Sequence, residues 1–393
     1  MELIPWGVII FLGIIFLSSY HKYKNFIHPS VVVSLVWFIL LFSYNFFEHR
    51  LFPLTLQFYA AITLWVVSFC FASCYLQYKT IKIPGIIANS RIKPQITKFL
   101  LTFFIFVNIF GCYKFYQISG GKLAYHILSA MNHGNEEMPP IVRALQALQV
   151  LSMALFTALC LFWKEIKFNR WLVALYTLTL LAWSTITANK SGLFQLFFII
   201  FCVLYLKNKL SLKKLAIGII SALTILLTVQ SARIINKHED KLSTEELTLI
   251  YILSPLPAYD AVLNGEKVFS EGKTTRFFRA VGSSLKICEP PRKERTSSWI
   301  YVPVQTNVYT VMFPFFVDFG FWGILFFGLF EGWLWGFMYQ RMMRHNAFFT
   351  LMFITFGYTL LLQFFADYIF NYMSVFFQAA ILIGVITCNL KNE

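Results

Sequence analysis

The chain has 393 residues, of which 58% are hydrophobic and only 13% are charged, and its mean hydropathy is +0.66. A soluble domain has roughly a quarter of its residues charged, so this composition excludes a soluble globular protein. The formal charge of +15 does not indicate nucleic-acid binding, because lysine and arginine fall mainly in short linkers between apolar runs. The composition therefore predicts an integral membrane protein.

Apolar runs long enough to cross a bilayer recur along the chain. A helix needs about 20 residues to cross about 30 Å of hydrocarbon, and only helices or closed barrels pair every backbone group there. The runs lack the strict alternation of barrel strands. The expected fold is all-α, a polytopic membrane bundle of about eleven transmembrane helices with a large, partly helical loop. The predicted spans are 3–20, 29–47, 55–76, 97–117, 141–163, 171–187, 191–206, 215–231, 317–340, 347–368 and 371–389.

Basic residues in the linkers predict the orientation. If the N-terminus is outside, the inside linkers carry seventeen lysines and arginines, whereas the short outside linkers carry five. This positive-inside bias predicts an outside N-terminus and an inside C-terminus. The chain then divides into 1–231 with eight helices, an outside loop at 232–316, and 317–393 with three helices.

The large loop has its own folding signals. Ser243-Thr244-Glu245-Glu246 has the pattern of a capping box and opens an apolar run, Leu247 to Leu253. A short helix on the membrane surface is expected there. The loop is therefore predicted to fold over the bundle.

Carboxylates inside apolar spans are candidate functional residues, because a charge in hydrocarbon costs several kcal/mol unless it is paired or hydrated. Asp318, Glu331 and Asp367 qualify. For Glu331 a structural partner, either an arginine or a hydrated pocket, is favoured. For Asp318 a structural role and a functional role both remain open. In the same span, Gly328, Gly332 and Gly336 form a small-residue stripe that predicts a close helix contact.

Outside basic residues form a second group of candidates. Arg276 and Arg279 share one face if their segment is helical, so two guanidinium groups could bind one anion. Arginine suits a phosphate because it donates two parallel hydrogen bonds. The alternative is a surface that binds lipid headgroups. Arg233, where the eighth span ends, and Arg143 and Lys190, at the mouths of other spans, could join the same anion site.

The sequence lacks the motifs of several familiar chemistries. It has no phosphate-binding loop G-x-x-x-x-G-K-[ST], no G-x-S-x-G, no H-E-x-x-H and no D-x-D pair. No Cys/His spacing typical of zinc occurs either. A site free of metal and cofactor is therefore expected, with a histidine or a carboxylate as the general base. His238 is one candidate, although its charged surroundings are also typical of a solvated segment.

One stretch of the chain resembles a known family. Asn307-Val308-Tyr309-Thr310 is followed by Pro314, Asp318-Phe319-Gly320 and Gly323, and then by a glycine-rich span ending at Arg341. This arrangement resembles the O-antigen polymerases, the Wzy-type polymerases of oligosaccharide repeat units. Ala188-Asn189-Lys190-Ser191 and the segment Tyr251 to Pro257 are weaker similarities. The motifs cover about 60 residues, whereas the architecture agrees along most of the chain.

The resemblance implies a GT-C-like membrane glycosyltransferase at the periplasmic face of the bacterial inner membrane. The donor would be a growing glycan on undecaprenyl diphosphate, and the acceptor a new lipid-linked repeat unit. A chain-length regulator and a flippase are possible partners, and nucleic acid is not. The residues expected to bind the diphosphate are Arg233, Arg276 and Arg279, with Lys190 and Arg143 as weaker candidates. The candidates for the catalytic base are Asp318, His238 and Asp260.

Two other functions remain open. An O-antigen ligase has a similar architecture but delivers the glycan to lipid A-core. A polysaccharide flippase or secondary transporter is not an enzyme, and it would favour internal repeats and broken helices at the bilayer midplane. No repeat is evident in the sequence, and the large loop exceeds what a transporter requires. The sugars, the linkage and the stereochemistry are not encoded in recognisable motifs.

Overall fold

The computed structural model describes residues 3–75, 92–120, 139–163, 169–187, 190–211, 244–266, 274–291 and 297–387, together with 128, 131, 167, 213, 268 and 272. These residues are mostly helical. The elements are α1 (Leu3–Tyr23), α2 (Pro29–Phe46), α3 (Leu56–Tyr75), α4 (Pro94–Ile118), α5 (Pro140–Leu161), α6 (Arg170–Ile186), α7 (Lys190–Leu206), α8 (Thr244–Leu253), α9 (Pro255–Leu263), α10 (Arg276–Ser284), β1 (Ile300–Tyr301), β2 (Gln305–Thr306), α11 (Phe313–Met343), α12 (Ala347–Phe356), α13 (Tyr358–Leu361) and α14 (Met373–Thr387).

Among the described residues, six helices are long and apolar enough to cross a membrane. They are α1 to α5 and α11. The predicted spans 171–187, 191–206, 347–368 and 371–389 correspond to shorter apolar helices, namely α6, α7, the α12–α13 pair and α14. The predicted span 215–231 lies outside the described residues. The protein is thus an all-α membrane protein with several spans, as the composition predicts.

The most extensive helix contact joins α11 to α3. Three glycines of α11 face α3 and leave no room for a side chain. A Cβ at Gly328 or Gly332 would overlap Ser68 Oγ or the carbonyl oxygen of Phe69, respectively, and a Cβ at Gly336 would stand 2.7 Å from the carbonyl oxygen of Ser73. The backbones therefore meet directly, which confirms the predicted contact and gives the dispersion energy that holds helices together in lipid.

Helix α11 begins earlier than predicted and contains a break. It starts at Phe313 instead of residue 317, because Pro314 is well suited to the first turn of a helix. Gly320 interrupts it with φ 62° and ψ −152°, a backbone conformation that is essentially restricted to glycine. At Gly323 an added Cβ would overlap the carbonyl oxygen of Phe315. The two glycines thus allow the first turns of α11 to fold tightly onto the rest.

The predicted span 347–368 is wrong at its end, because the helix stops at Leu361 and the segment 362–372 is not helical. Asp367 explains the change. Its carboxylate accepts from the backbone N–H groups of Ile369 (2.8 Å) and Phe370 (3.2 Å), and its carbonyl oxygen accepts from Asn371 Nδ2 (2.6 Å). Such local bonds from side chain to backbone compete with helical hydrogen bonding.

We call the end of the bundle that carries α9, residues 47–55 and the start of α11 the loop end. The predicted helix at 247–253 is confirmed there as part of α8. Helix α9 follows at once, and the strands β1 and β2 form an antiparallel hairpin that leads into α11. At the opposite end, Lys93 N donates to the Ile386 carbonyl (2.9 Å) and Asn25 Nδ2 to Tyr339 Oη (2.5 Å).

Candidate functional site at the loop end

Asp318 is hydrogen-bonded to the backbone of the large loop. Its Oδ1 accepts from Gly272 N (2.8 Å) and its Oδ2 from Thr274 N (3.0 Å). The Thr274 hydroxyl donates to the Pro314 carbonyl (3.4 Å), which fastens the same loop to the first turn of α11. Both carboxylate oxygens already accept an N–H group, so the geometry favours the structural role for Asp318. Its role as a base stays a prediction.

The loop that Asp318 holds leads directly into α10, which carries the predicted arginine pair. Arg276 and Arg279 lie in one helix three residues apart and so share a face, as predicted. Arg276 is half-buried and Arg279 is exposed. Arg279 Nη1 lies 3.2 Å from the position that a Cβ of Gly272 would take. The structure therefore brings both Asp318 and Arg279 close to the same glycine.

Asp260 is buried in α9 and ties that helix to the start of α3. Its carboxylate accepts from Thr55 N (2.9 Å), from the Thr55 hydroxyl (2.5 Å) and from Asn264 Nδ2 (3.1 Å). Burial raises the pKa of Asp260, while the hydrogen bonds from Thr55 and Asn264 lower it. This set of partners indicates a structural link between the loop and the bundle. A catalytic role for Asp260 stays a prediction.

Among the remaining predicted site residues, Arg143 alone has a described side chain. Arg233 and His238 lie outside the described residues, as does the side chain of Lys190, which opens α7. Arg143 is exposed on the first turn of α5, and no described contact joins it to the arginines of α10. The described part of the predicted anion site therefore consists of Arg276 and Arg279.

The sequence analysis missed a buried amide beneath the loop end. Gln363 Oε1 accepts from the indole N–H of both Trp37 and Trp65, each at 3.1 Å, and the Gln363 carbonyl accepts from Val311 N (2.7 Å). These bonds join α2, α3, the non-helical segment 362–372 and the strand-to-helix connection before α11. The available signal was a glutamine within an apolar run, because a buried amide requires partners.

Glu331 is a buried carboxylate with an unpartnered oxygen among the described residues. It lies in α11 with 2% of its surface exposed, and its Oε1 has no hydrogen-bond partner among the described residues. The expected arginine partner is not found there. Its electrostatic neighbour is a second carboxylate, Asp367. Two like charges in a medium of low dielectric repel strongly. The surroundings of Glu331 therefore differ from those of Asp318, whose carboxylate oxygens each accept from a backbone N–H group.

Taken together, the loop end presents two adjacent guanidinium groups on a helix that is fixed to a membrane-spanning helix. Such a pair can bind a phosphate or another anion. In the part of the chain that the structure describes, no three His, Cys, Asp or Glu side chains are placed to hold a metal ion. Comparisons with protein-family models, with curated proteins and with solved structures find no match.

Proposed function

We propose that the protein is an O-antigen or surface-polysaccharide polymerase, a metal-independent membrane glycosyltransferase. It transfers a growing glycan from undecaprenyl diphosphate to a new lipid-linked repeat unit. One observation carries the proposal: the arginine helix α10 is fastened through Gly272 and Thr274 to Asp318, the acidic residue of the Asp-Phe-Gly motif on which the resemblance rests.

The proposed topology has about eleven transmembrane helices in a GT-C-like bundle. The loop end faces the periplasm, with the N-terminus periplasmic and the C-terminus cytoplasmic, in a bacterial inner membrane. Basic residues at the other end of the bundle support this orientation by the positive-inside rule. They are Lys22 in the last turn of α1 and Lys24 just after it, Lys93 before α4, and Arg341 and Arg344 at the end of α11.

The proposed reaction needs a general base and positive charge from the protein. A hydroxyl of the acceptor sugar attacks the anomeric carbon of the donor, the carbon–oxygen bond to the diphosphate breaks, and a new glycosidic bond forms. A general base takes the hydroxyl proton. Negative charge grows on the departing lipid diphosphate, and Arg276 and Arg279 would stabilise it with preorganised positive charge. Asp318 acts in this scheme as a positioning residue that fixes the start of α10.

The proposal is tested with purified protein in proteoliposomes that contain lipid-linked repeat units. Wild type is expected to give a ladder of longer glycans. Arg276→Ala is expected to lower the rate about 10²–10³-fold, as does loss of other groups that stabilise developing charge. Arg276→Lys keeps the charge but loses the paired donors and should fall between the two.

Lys114→Ala is the matched control, because Lys114 is a cation on a different helix, α4. Its ladder should equal that of wild type. A full ladder from Arg276→Ala would refute the clamp. Glycan transfer only to lipid A-core, added in a parallel reaction, would identify a ligase instead. Movement of the lipid-linked unit across the bilayer without any bond formation would identify a transporter.

A further inference from the structure

Helix α10 has two chemically different faces. Phe277, Phe278 and Val281 lie on one side, and Arg276 and Arg279 lie on the other, as a helical period of 3.6 residues requires. The apolar side is not covered by the described parts of the protein. Phe278 is 58% exposed and Val281 is 44% exposed. Just after the helix, Leu285 and Ile287 are 65% and 75% exposed.

The exposed apolar face belongs to a well-built element. Asp318 fixes the approach to α10 through Gly272 and Thr274. At the other end Lys286 adopts φ 60°, and Ile287 N donates to the Gly282 carbonyl (2.8 Å), the bond of a Schellman turn. The helix is therefore held at both ends, and its exposed aromatic and aliphatic side chains keep a fixed direction.

The apolar face of α10 continues a stripe on a neighbouring helix. The rings of Phe277 and Phe377 lie 5.5 Å apart between centroids, which joins α10 to the first turns of α14. On α14, Phe377, Ile381 and Val385 are all exposed and are spaced four residues apart, so they form one apolar line along the helix. A surface of this kind on a membrane protein faces acyl chains.

The charges near the apolar face match a bilayer surface. Arg276, Arg279 and Lys286 are cations, and no acidic residue lies in α10 itself. A helix with an apolar side and a basic side lies in the plane of the membrane, with the apolar side among the acyl chains and the cations at the level of the phosphates. Long arginine side chains can reach that level from the edge of such a helix.

We propose that α10 is an interfacial helix that inserts Phe278, Val281, Leu285 and Ile287 into the leaflet at the loop end. The occupant of the exposed apolar face is thus the lipid bilayer. The basic side chains lie among anionic phospholipid headgroups. The proposal does not depend on the enzymatic activity proposed above, because any membrane protein with this element would place it in the same way.

Spin labels on the two faces of α10 test the proposal in the full-length protein. Phe278→Cys places a label on the apolar face, and Ser283→Cys places one on the polar face of the same helix. Both are made in a Cys288→Ser background, because Cys288 is the exposed free cysteine of this segment, and the Cys288→Ser protein alone gives the background signal. Each protein is reconstituted into vesicles of phosphatidylglycerol and phosphatidylcholine.

Oxygen concentrates in the acyl region, and a nickel chelate stays in water. The label at 278 is expected to collide mainly with oxygen, and the label at 283 mainly with the nickel chelate. In pure phosphatidylcholine the label at 278 should move toward the water, because the anionic headgroups are gone. Equal access of nickel to both labels, dipolar coupling between labels of two copies, or a depth that ignores lipid charge would each overturn the proposal.

A second pair of labels guards against variants that misfold. Val281→Cys lies on the apolar face, and Ala280→Cys lies on the side of Arg276, four residues further along the helix; both are smaller changes than the loss of Phe278. The same contrast in oxygen and nickel access is expected for this pair. A reversed or absent contrast in folded protein would overturn the proposal independently of the first pair.

Discussion

The contact between α3 and α11 and the attachment of α10 to α11 use the same helix but different forces. In the first, glycine backbones meet the opposite helix so closely that no side chain fits. In the second, one carboxylate holds two backbone N–H groups of the loop. The first contact depends on shape in a medium without water, where packing drives helix association. The second depends on the direction and length of individual hydrogen bonds.

Substitutions at the two contacts of α11 should therefore have different effects on the fold. Damage to the glycine contact destabilises the whole bundle, because the backbone atoms that the new Cβ meets cannot move aside. Damage at the loop end leaves the bundle intact and frees the helix that carries the arginines. A functional site that can be altered without loss of the fold is therefore expected at the loop end.

The largest effect is expected from Gly332→Ala. The new Cβ would overlap the carbonyl oxygen of Phe69, a backbone atom that cannot rotate away. We expect a loss of about 3 kcal/mol or more in stability, at the upper end of overpacking effects. The thermal midpoint in detergent measures this change. Gly7→Ala is the control, because nothing lies within 4 Å of its Cβ position. Equal midpoints for the two variants would contradict the close packing.

Asp260→Asn should give the next largest effect. The amide group presents N–H where Thr55 or Asn264 already donates, so at least one donor loses its acceptor and the loss is about 2 kcal/mol. This change weakens the attachment of α9 to the start of α3, which is a second hydrogen-bonded attachment at the loop end beside that of α10 to α11. A thermal midpoint within error of wild type would show that the link carries little stability.

The pH dependence gives an independent check on Asp260. Its pKa is raised above 3.8 in the folded protein, so the folded state holds a proton that the unfolded chain releases. The free energy of unfolding should therefore fall as the pH rises from 3.8 to the raised pKa, and stay constant above it. Asp260→Asn should remove this slope. A stability that increases with pH in that window, and only in wild type, would reverse the sign and refute the burial effect.

Asp318→Ala should have a smaller effect on stability and a large local one. The variant leaves Gly272 N and Thr274 N without their acceptor, the first in a half-buried residue and the second in a buried one, for a loss of about 1 kcal/mol. Hydrogen exchange of the amides in 272–284 should accelerate, whereas exchange in α3 should not change. Glu289→Ala, an exposed acid beyond α10, serves as the control. Unchanged protection of 272–284 in Asp318→Ala would refute the attachment.

Glu331→Gln should have the smallest effect. A neutral side chain of the same shape replaces a buried carboxyl group that has no cationic partner among the described residues, so we expect a change within about 0.5 kcal/mol. Glu331→Leu has a side chain that cannot form hydrogen bonds. A loss of stability in this variant, but not in Glu331→Gln, would show that the position requires a polar group and not a charge. A strong loss from Glu331→Gln alone would show that the ionised carboxylate is required.

Much of the fold is predictable from composition, because a lipid solvent forces the backbone into helices. The six long spans, the helix in α8 and the glycine contact of α11 follow from apolar length, a capping pattern and residue size. The segment 362–372 does not, because Asp367 bonds its own neighbours and ends a pattern that otherwise reads as one span.

The candidate site is predictable only in part. The helical spacing of Arg276 and Arg279 follows from local sequence, but their position beside Asp318 depends on contacts more than 40 residues apart in the chain. Likewise, Gln363 meets Trp37 and Trp65 across about 300 residues, and no local pattern encodes such pairs. A carboxylate in an apolar run therefore predicts a polar position in the fold, but its role depends on hydrogen-bond partners that are distant in the sequence.

The backbone conformation of Gly320 sets the direction of the first turns of α11. With an alanine at that position, the conformation at φ 62° becomes costly and the first turns of α11 would straighten along the axis of the rest. Asp318 would then move with them, and the backbone N–H groups of Gly272 and Thr274 would lose their hydrogen bonds to its carboxylate. The position of α10 relative to α11 therefore depends on the absence of a side chain at residue 320.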